Sequence, residues 1–264
     1  MMDGGAPVAL SLLFPLLGAG FIALSGRWSS VREVVNLLAA SSLFLLVLNL
    51  LGQVKTGDSP SFRAFEIMPG LFISFLVEPL GLLFALVASG LWIISSFYII
   101  GYMGAHHEEH RTRFSVCFAL TIAAAIGIAF AGNVFTLFIF YEMMTLVTYP
   151  LVTHHGTEQA VRAGRVYLGY LFSTSVAFFL LAVIWTWFLA GTLDFKAGGI
   201  LAGKGGSGTL LALLALYVFG IGKAALMPFH RWLPAAMVAP APVSALLHAV
   251  AVVKAGVFSV LKVV

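Results

Sequence analysis

Long apolar runs, separated by short polar breaks, recur along the whole chain. About eight of them reach roughly 18 residues or more, which is enough for a helix to cross ~30 Å of hydrocarbon. No run alternates polar and apolar positions with period two along its length, so helices are expected rather than barrel strands. The pattern predicts an all-α integral membrane protein with about eight transmembrane helices. The runs cover residues 6–24, 34–51, 73–103, 113–132, 133–153, 166–190, 209–229 and 242–264.

The seventh run is irregular. Gly220 and Gly222 lie close to Lys223, and Pro228 and Pro234 follow. Proline removes a backbone hydrogen bond and kinks a helix, whereas glycine tolerates unusual dihedral angles. Broken backbone at membrane depth survives only when it is buried in protein or lines a wet cavity. The sequence therefore predicts a broken seventh helix, with Lys223 facing the interior. The fourth and fifth runs are joined only by residues 131–133, so these two helices are expected to be antiparallel neighbours.

Composition excludes several classes of protein. The chain is 61% hydrophobic and only 9% charged, against about 25% charged residues in soluble domains. The basic residues form no stripe, which argues against nucleic-acid binding. Cys117 is the only cysteine, so neither an intrachain disulfide nor an iron–sulfur cluster can form within the chain. No cofactor motif is apparent, so no cofactor and no catalytic centre of its own are expected.

Basic residues divide unevenly between the two sides that alternating helices would create. Because short cytoplasmic loops are enriched in lysine and arginine, the richer side is predicted to be cytoplasmic and both termini to lie outside, in a cell inner (plasma) membrane. The first ten residues lack the basic region of a secretory signal, so the first run is expected to be retained. The richer side, called the arginine side below, carries Arg27, Arg32, Arg111, Arg113, Arg162, Arg165 and Arg231; the opposite side carries Lys55, Arg63, Lys196, Lys204 and Lys262.

Three ionisable residues, Glu142, Lys223 and Lys254, lie inside apolar runs. A charge at bilayer depth costs about 2.5–3.5 kcal/mol even on insertion scales, so such residues usually have a use. One acid and two bases on successive runs indicate a proton or cation path. Burial disfavours the charged forms of Glu142 and Lys223, whereas pairing with each other favours them. A change in the distance between the two side chains can therefore work as a switch. His248 lies about 9 Å along the helix from Lys254 and roughly 120° around it, so the two are separate stations. Because histidine as a residue type ionises near neutral pH, His248 is a candidate intermediate relay.

Further candidates are accessory. Thr145 and Tyr149 share a helical face with Glu142, Glu78 begins the third run, and His230 follows the broken seventh. Structural roles remain open for all of these residues. In the structural alternative, Glu142 and Lys223 each pair with a neighbouring helix and serve only to hold the helices together. Lys254 then extends its ammonium group toward the membrane interface, and His248 is a core histidine bonded to a carbonyl.

Residues 106–110, HHEEH, match the H-x-x-E-H pattern of an inverted zinc peptidase motif. The segment lies between spans, arginines follow it, and no third acidic ligand is apparent. A solvated turn is therefore the preferred interpretation, and no metal is expected. HHGTE, residues 154–158, is interpreted in the same way.

The stretch from Gly222 to Gly256 contains PFHRWLP followed by APAPVSALLHA. It resembles the signature region of antiporter-like proton-translocating membrane subunits, which occur in respiratory complex I, Mrp-type sodium/proton antiporters and membrane-bound hydrogenases. NVFTLFIFYEMMTL, residues 133–146, shares the resemblance, and the D-type Mrp subunit is the most similar branch. The resemblance implies that Glu142 is the family's essential glutamate and Lys223 the lysine of the broken helix. It also implies that His248 and Lys254 are the connecting residues of the eighth helix.

The family has about fourteen helices, built as two inverted five-helix repeats with flanking helices. By this resemblance, residues 1–110 are the leading helices one to three, and residues 111–264 are one proton-translocating repeat of helices four to eight. The resemblance thus implies that the second repeat is supplied either by the rest of a longer chain, of which this is a fragment, or by a separate polypeptide. One repeat alone would form a half-channel open to one side. Ala235 and Ala236 stand where the family usually has an aspartate after WLP, so any role of that acid is lost.

The expected function is that of a proton-translocating subunit in a multisubunit monovalent cation (Na⁺)/H⁺ antiporter. Its partners would be other membrane subunits, H⁺, Na⁺ and the lipid bilayer. A first alternative is the proton-pumping membrane subunit of an NADH:quinone oxidoreductase or a membrane-bound hydrogenase. A second alternative, from a different class, is a structural membrane scaffold whose buried charges only lock helices together.

Overall fold

The computed structural model describes residues 5–106, 108–196, 198–245 and 251–263. Six helical segments of this part are long and apolar enough to cross a membrane, and the predicted helical membrane architecture is confirmed. They are α1 (Gly5–Leu24), α2 (Ser29–Lys55), α3 (Pro79–Ala105), α4 (Arg111–Ala129), α5 (Val134–Val152) and the continuous pair α6 (Glu158–Thr174) and α7 (Leu180–Ala190), which a π-helical turn at Ser175–Phe179 joins.

The sixth span begins earlier than the hydrophobic run that predicted it. α6 starts at Glu158, and the Thr157 hydroxyl caps it by accepting a hydrogen bond from the Ala160 backbone N–H at 3.2 Å. The first two turns of α6 carry charged residues. The predicted apolar run, which starts at residue 166, therefore does not include them. Capping by threonine satisfies an amide that would otherwise lack a partner.

The third span was predicted to begin at residue 73, and this was wrong. Two antiparallel strands occupy that region, β1 (Ser61–Met68) and β2 (Leu71–Leu76). Leu71, Ile73 and Phe75 are buried while the residues between them are half-buried, so this short segment does have the alternation of a strand. The helix begins only at Pro79, because the residue before a proline is pushed into extended backbone.

Asn133 connects this hairpin to the turn between α4 and α5. Its side chain is almost completely buried, and its Oδ1 accepts from the Thr136 amide at 2.7 Å. Its Nδ2 donates to the Phe72 carbonyl at 2.7 Å and to the Ser74 hydroxyl at 2.9 Å. The side chain therefore caps α5 and fixes the hairpin at the same time. As predicted, α4 and α5 pack against each other across this turn.

The loop after α7 closes the same end of the molecule. The Val134 amide donates to the Leu193 carbonyl at 3.0 Å, and the Phe195 amide donates to the Gly132 carbonyl at 3.1 Å. The α4–α5 turn is thus held between the hairpin on one side and residues 193–195 on the other. These elements make up the opposite side of the protein.

The loops of the arginine side are also joined to one another. Arg32 donates to the Thr112 hydroxyl at 3.2 Å, which links the start of α2 to the start of α4. Arg113 donates to the His154 carbonyl at 3.0 Å and so links α4 to the end of α5. Arginines of this side therefore satisfy backbone and hydroxyl acceptors at helix ends.

The predicted break in the seventh span is present. α8 (Ser207–Gly220) ends at Gly220, and a 3₁₀ turn (Gly222–Ala224) follows it. Ala225 then adopts left-handed backbone, with φ of 54°, before a second 3₁₀ turn and the short helix α9. The remaining elements are that turn (Phe229–Arg231), α9 (Trp232–Ala236), α10 (Ala241–Val243) and α11 (Val252–Val263). Residues 246–250 of the predicted eighth span lie outside the described residues.

Two glycines allow the broken segment to pack closely. A Cβ at Gly220 would collide with the backbone of Phe179, and a Cβ at Gly256 would collide with the backbone of Ala224. Backbone atoms cannot rotate away as a side-chain end can, so larger residues are excluded at both positions. The break is therefore enclosed by the π-helical turn on one flank and by α11 on the other.

We expect Asn133→Ala to destabilise the protein. The change removes the hydrogen-bond partner of the Thr136 amide, the Phe72 carbonyl and the Ser74 hydroxyl. Leaving a buried polar group without a partner costs about 1–3 kcal/mol. The apparent melting temperature in detergent should fall by about 2–4 °C for each kcal/mol lost. Asn49→Ala is the matched control, because Asn49 accepts only an exposed hydrogen bond from Gln53. Equal melting temperatures for both variants would contradict the role of Asn133.

Candidate functional site

Lys223 is fully buried in the 3₁₀ turn after α8. Its Nζ donates to the Tyr141 carbonyl at 2.7 Å and also to the Thr145 hydroxyl. Its own amide donates to the Tyr141 hydroxyl at 2.8 Å. The Nζ also lies over the Tyr141 ring, 3.2 Å from the centroid, where the face of the π system attracts a cation. Two residues of α5 therefore bind both the backbone and the ammonium group of the lysine.

Glu142 is the next residue of α5. Both of its carboxylate oxygens are buried, and neither has a hydrogen-bond partner. The charge of Lys223 acts on the carboxylate and the Ser175 hydroxyl lies beside it, although no nitrogen–oxygen pair of Glu142 and Lys223 lies within the 4.0 Å of a salt bridge. A buried carboxylate without partners is costly unless it takes up a proton or meets a counter-charge. Glu142 and Lys223 are therefore neighbours that are not directly paired.

A pair of buried hydroxyls lies further along α5, toward the arginine side. The Thr148 and Tyr167 hydroxyls lie 2.6 Å apart, and both side chains are fully buried. The Thr148 hydroxyl donates to the Met144 carbonyl at 2.7 Å and also lies 3.1 Å from the Thr145 carbonyl. Hydroxyl groups both donate and accept, so such a pair can pass a proton along.

Trp232 fixes the position of Tyr167. The two rings meet edge to face with centroids 5.6 Å apart, and the indole N–H donates to the Gly222 carbonyl at 2.9 Å. The tryptophan thus links α6 to the broken segment that carries Lys223. Sequence reasoning missed Thr148, Tyr167 and Trp232. The signal for Thr148 was available, since it lies one helical turn after Thr145.

The accessory candidates lie in different places. Thr145 contacts Lys223, as described above. The ring of Tyr149 packs beside Gly164 of α6 instead. His230 is half-buried in the second 3₁₀ turn, and its Nδ1 is buried without a hydrogen-bond partner. Glu78 lies at the opposite side, where its Oε2 forms an ion pair with the Nζ of Lys262 at 3.0 Å.

Of the two predicted relay residues of the eighth span, the structure describes Lys254, and its side chain does not reach Glu142. The Lys254 side chain is exposed on the surface of α11, and within the described residues it makes no hydrogen bond or ion pair with Glu142 or Lys223. His248 lies outside the described residues. Their roles as onward relay stations remain predictions.

The two histidine-rich loops contact each other, and most of their described residues are exposed, as the interpretation as solvated turns predicted. The Oε2 of Glu108 lies 3.8 Å from the Nε2 of His154 and 3.7 Å from the Nδ1 of His155. The His154 side chain is only 2% exposed. Its burial lowers the pKa of His154, the Arg113 charge lowers it further, and Glu108 opposes both effects. The interpretation of His154 as part of a solvated turn was therefore wrong, because the fold packs its loop onto α4.

His106 stacks on the ring of Tyr102, with centroids 4.1 Å apart. Within residues 5–106, 108–196, 198–245 and 251–263, no group of three or more His, Cys, Asp or Glu side chains is placed to hold a metal ion.

The broken helix, the buried lysine and the adjacent glutamate are found in a region that matches a known family. Residues 131–264 match the family model described as NADH:quinone oxidoreductase/Mrp antiporter, TM. The chloroplastic NAD(P)H-quinone oxidoreductase subunit 5 of Zygnema circumcarinatum is 28% identical over 271 residues, which cover 96% of this chain and 38% of that protein. A probable K(+)/H(+) antiporter subunit of Rhizobium meliloti is 30% identical over 222 residues, covering 81% of this chain and 22% of that protein.

Solved structures share the fold. A chain of an archaeal respiratory complex, the membrane-bound sulfane sulfur reductase, superposes with a TM-score of 0.82 at 25% identity, over 96% of this chain and 52% of that one. A chain of the Mrp complex from Dietzia sp. superposes with a TM-score of 0.83 at 21% identity, over 100% of this chain and 49% of that one. The chain thus spans less than half of the length of both curated relatives and about half of these structures. The family match covers half of the sequence, and the chain therefore belongs to the family of transmembrane subunits found in NADH:quinone oxidoreductases and Mrp antiporters.

Proposed function

We propose that this chain is part of a proton-translocating membrane subunit of a complex I-like or Mrp-type multisubunit complex. The observation that carries the proposal is a fully buried Lys223 beside the buried carboxylate of Glu142, to which it is not directly bonded. Intramembrane ionisable residues that face a bundle interior mark proton relays in pumps and transporters. Other membrane subunits of the same complex are the proposed partners.

Proton transfer would depend on the distance between the two groups. The Lys223 Nζ donates to the Tyr141 carbonyl and to the Thr145 hydroxyl and has no direct contact with Glu142. A shift of the broken segment toward Glu142 would pair the two charges, and a shift away would leave each more easily neutralised. The segment is suited to such a shift because it is joined by 3₁₀ turns and not by continuous helix.

The Thr145, Thr148 and Tyr167 hydroxyls would extend the proton path from Glu142 and Lys223 toward the arginine side. His248 and Lys254 would carry protons onward, as the resemblance implies. The relay residues are thus Glu142, Lys223, His248 and Lys254, with Thr148 and Tyr167 added from the geometry. The division into residues 1–110 and 111–264 is part of the same proposal.

A purely structural role fits Glu142 poorly. Buried charges that only join helices are expected to satisfy one another, because the cost of burying an unpaired charge is high. Both oxygens of Glu142 lack a hydrogen-bond partner. The scaffold alternative would suit Glu78 and Lys262 better, since these two are paired.

At the finer level we favour exchange of a monovalent cation, Na⁺, for H⁺ in an Mrp-type complex, in which this chain resembles the D-type subunit. The relative named as a probable K(+)/H(+) antiporter subunit supports the antiporter class. Relatives named as NAD(P)H-quinone oxidoreductase subunit 5 support the second candidate, a proton pump driven by quinone chemistry in other subunits. Copurified flavin and iron–sulfur subunits would favour the second candidate.

The first experiment replaces the central pair in the native complex. Glu142→Gln and Lys223→Met should each lower proton translocation into vesicles by roughly 100-fold or more, the contribution of a positioned proton donor or acceptor. Assembly, measured by subunit copurification, should be retained. The control is Glu158→Gln, which changes an exposed carboxylate that pairs only with Arg162. Normal translocation in both variants would refute the relay, and loss of assembly in proportion to transport would favour the scaffold.

The second experiment tests the hydroxyl pair. Thr148→Val keeps the shape of the side chain but removes the hydroxyl, so translocation should slow by roughly 10-fold, a smaller effect than loss of a charged relay group. Thr148→Ser should restore the rate, because serine keeps the hydroxyl. A rate for Thr148→Val equal to that of the unchanged protein would remove Thr148 from the path.

The third experiment tests the orientation. We propose that the arginine side is cytoplasmic and that both termini face out. In a Cys117→Ser background, Asp58→Cys in the α2–β1 loop should react with a membrane-impermeant maleimide in intact cells. Ser30→Cys at the start of α2 should react only after permeabilisation. The reverse result would invert the topology. Both positions are exposed.

A further inference from the structure

A groove of about 460 Å³ follows the outer face of α6. This volume lies within the range of roughly 300–1,000 Å³ that is typical of small-molecule sites. Val166, Gly169, Ser173 and Ala177 form its floor, and their spacing places them on one helical face. Phe229, from the turn after the broken helix, forms a wall.

The sequence creates the groove in two ways. Glycine, serine and alanine on one face of α6 leave little side-chain volume, and a Cβ at Gly169 would meet nothing within 4 Å. The end of α8 at Gly220 then lets the chain turn, so that Phe229 packs against Phe178 with centroids 5.8 Å apart. The groove is therefore a consequence of the same break that positions Lys223.

Cationic side chains lie at one end of the groove. Arg162 and Arg165 precede Val166 on α6, and Arg162 shares its helical face. Arg231 directly precedes Trp232, whose ring packs against Tyr167 beside Val166, and all three arginines are exposed. Arg162 pairs with the exposed Glu158 at 3.2 Å, whereas Arg165 and Arg231 make no ion pair within the described part of the chain.

We propose that this groove binds one acyl chain of an anionic phospholipid, whose phosphate lies against Arg165 and Arg231. Basic pockets on the cytoplasmic side of transmembrane helices recognise anionic headgroups, and guanidinium groups suit phosphate. The groove runs along α6 and the π-helical turn that follows it, from residue 166 to residue 178, about 18 Å at ~1.5 Å per residue. That length matches one leaflet, which is about half of a ~30 Å hydrocarbon core. A narrow apolar channel of this length with cations at one end fits a lipid better than a protein segment.

The lipid would also pack against the π-helical turn beside the proton site. Thr174 lines the groove and belongs to the last turn of α6, next to the π-helical turn that packs against Gly220. An acyl chain in the groove would fill the space beside this turn. The inference does not depend on proton translocation, since binding can be measured without it.

The test is native mass spectrometry of the purified complex titrated with phosphatidylglycerol or with phosphatidylcholine of the same chain length. The unchanged protein should bind phosphatidylglycerol more tightly. Arg165→Gln combined with Arg231→Gln should weaken phosphatidylglycerol binding about 10-fold or more, since each charge near a membrane surface contributes measurably to anionic lipid binding, and should leave phosphatidylcholine binding unchanged. Arg27→Gln, on the same side but away from the groove, is the control.

A second pair of variants tests the groove itself. Gly169→Leu should fill the groove and weaken binding of both lipids, whereas Gly101→Leu should not, because Gly101 is an equally open glycine on α3. Ala177→Leu provides a second filling variant if Gly169→Leu assembles poorly. Equal binding of the two lipids, or unchanged binding after both filling substitutions, would overturn the proposal. So would a crosslink from Ser173→Cys to another protein segment in the complex, because that segment would then occupy the groove.

Discussion

The ammonium group of Lys223 must be kept out of lipid, and the rest of the structure is arranged around that constraint. Three contacts from α5 satisfy the lysine, two to its Nζ and one to its amide. A continuous helix would commit the Lys223 amide to an intrahelical acceptor, so the break after Gly220 is what frees it to reach the Tyr141 hydroxyl. The cost of burying the charge is thereby offset by hydrogen bonds and by the face of the Tyr141 ring.

The break needs support from neighbouring elements, because irregular backbone in a membrane is tolerated only when protein encloses it. The π-helical turn of the sixth span packs against Gly220, and α11 packs against Ala224 through Gly256. Trp232 donates to the Gly222 carbonyl, which the break leaves outside a regular helix. The same indole positions Tyr167, so the support of the break and the hydroxyl pair share one side chain.

The two ends of the molecule are stabilised differently. On the opposite side, backbone hydrogen bonds and Asn133 tie the hairpin, the α4–α5 turn and residues 193–195 together. On the arginine side, cationic side chains bind carbonyls and hydroxyls at helix ends. This division leaves arginines available near the mouth of the α6 groove and near His154, while the hairpin end is fixed by backbone contacts.

Hydropathy, the positions of glycine and proline, and intramembrane charges are local properties, so they were enough to predict the membrane class, the broken seventh span and the choice of Glu142 and Lys223. They did not predict the hairpin at residues 61–76, since six alternating residues are hidden inside a longer apolar run. Nor did they predict the π-helical turn, the Thr148–Tyr167 pair or the contact of Glu108 with His154. Each of these depends on which helices become neighbours, and that follows from the packing of the whole chain, because residues far apart in the sequence must meet before their hydrogen bonds can form.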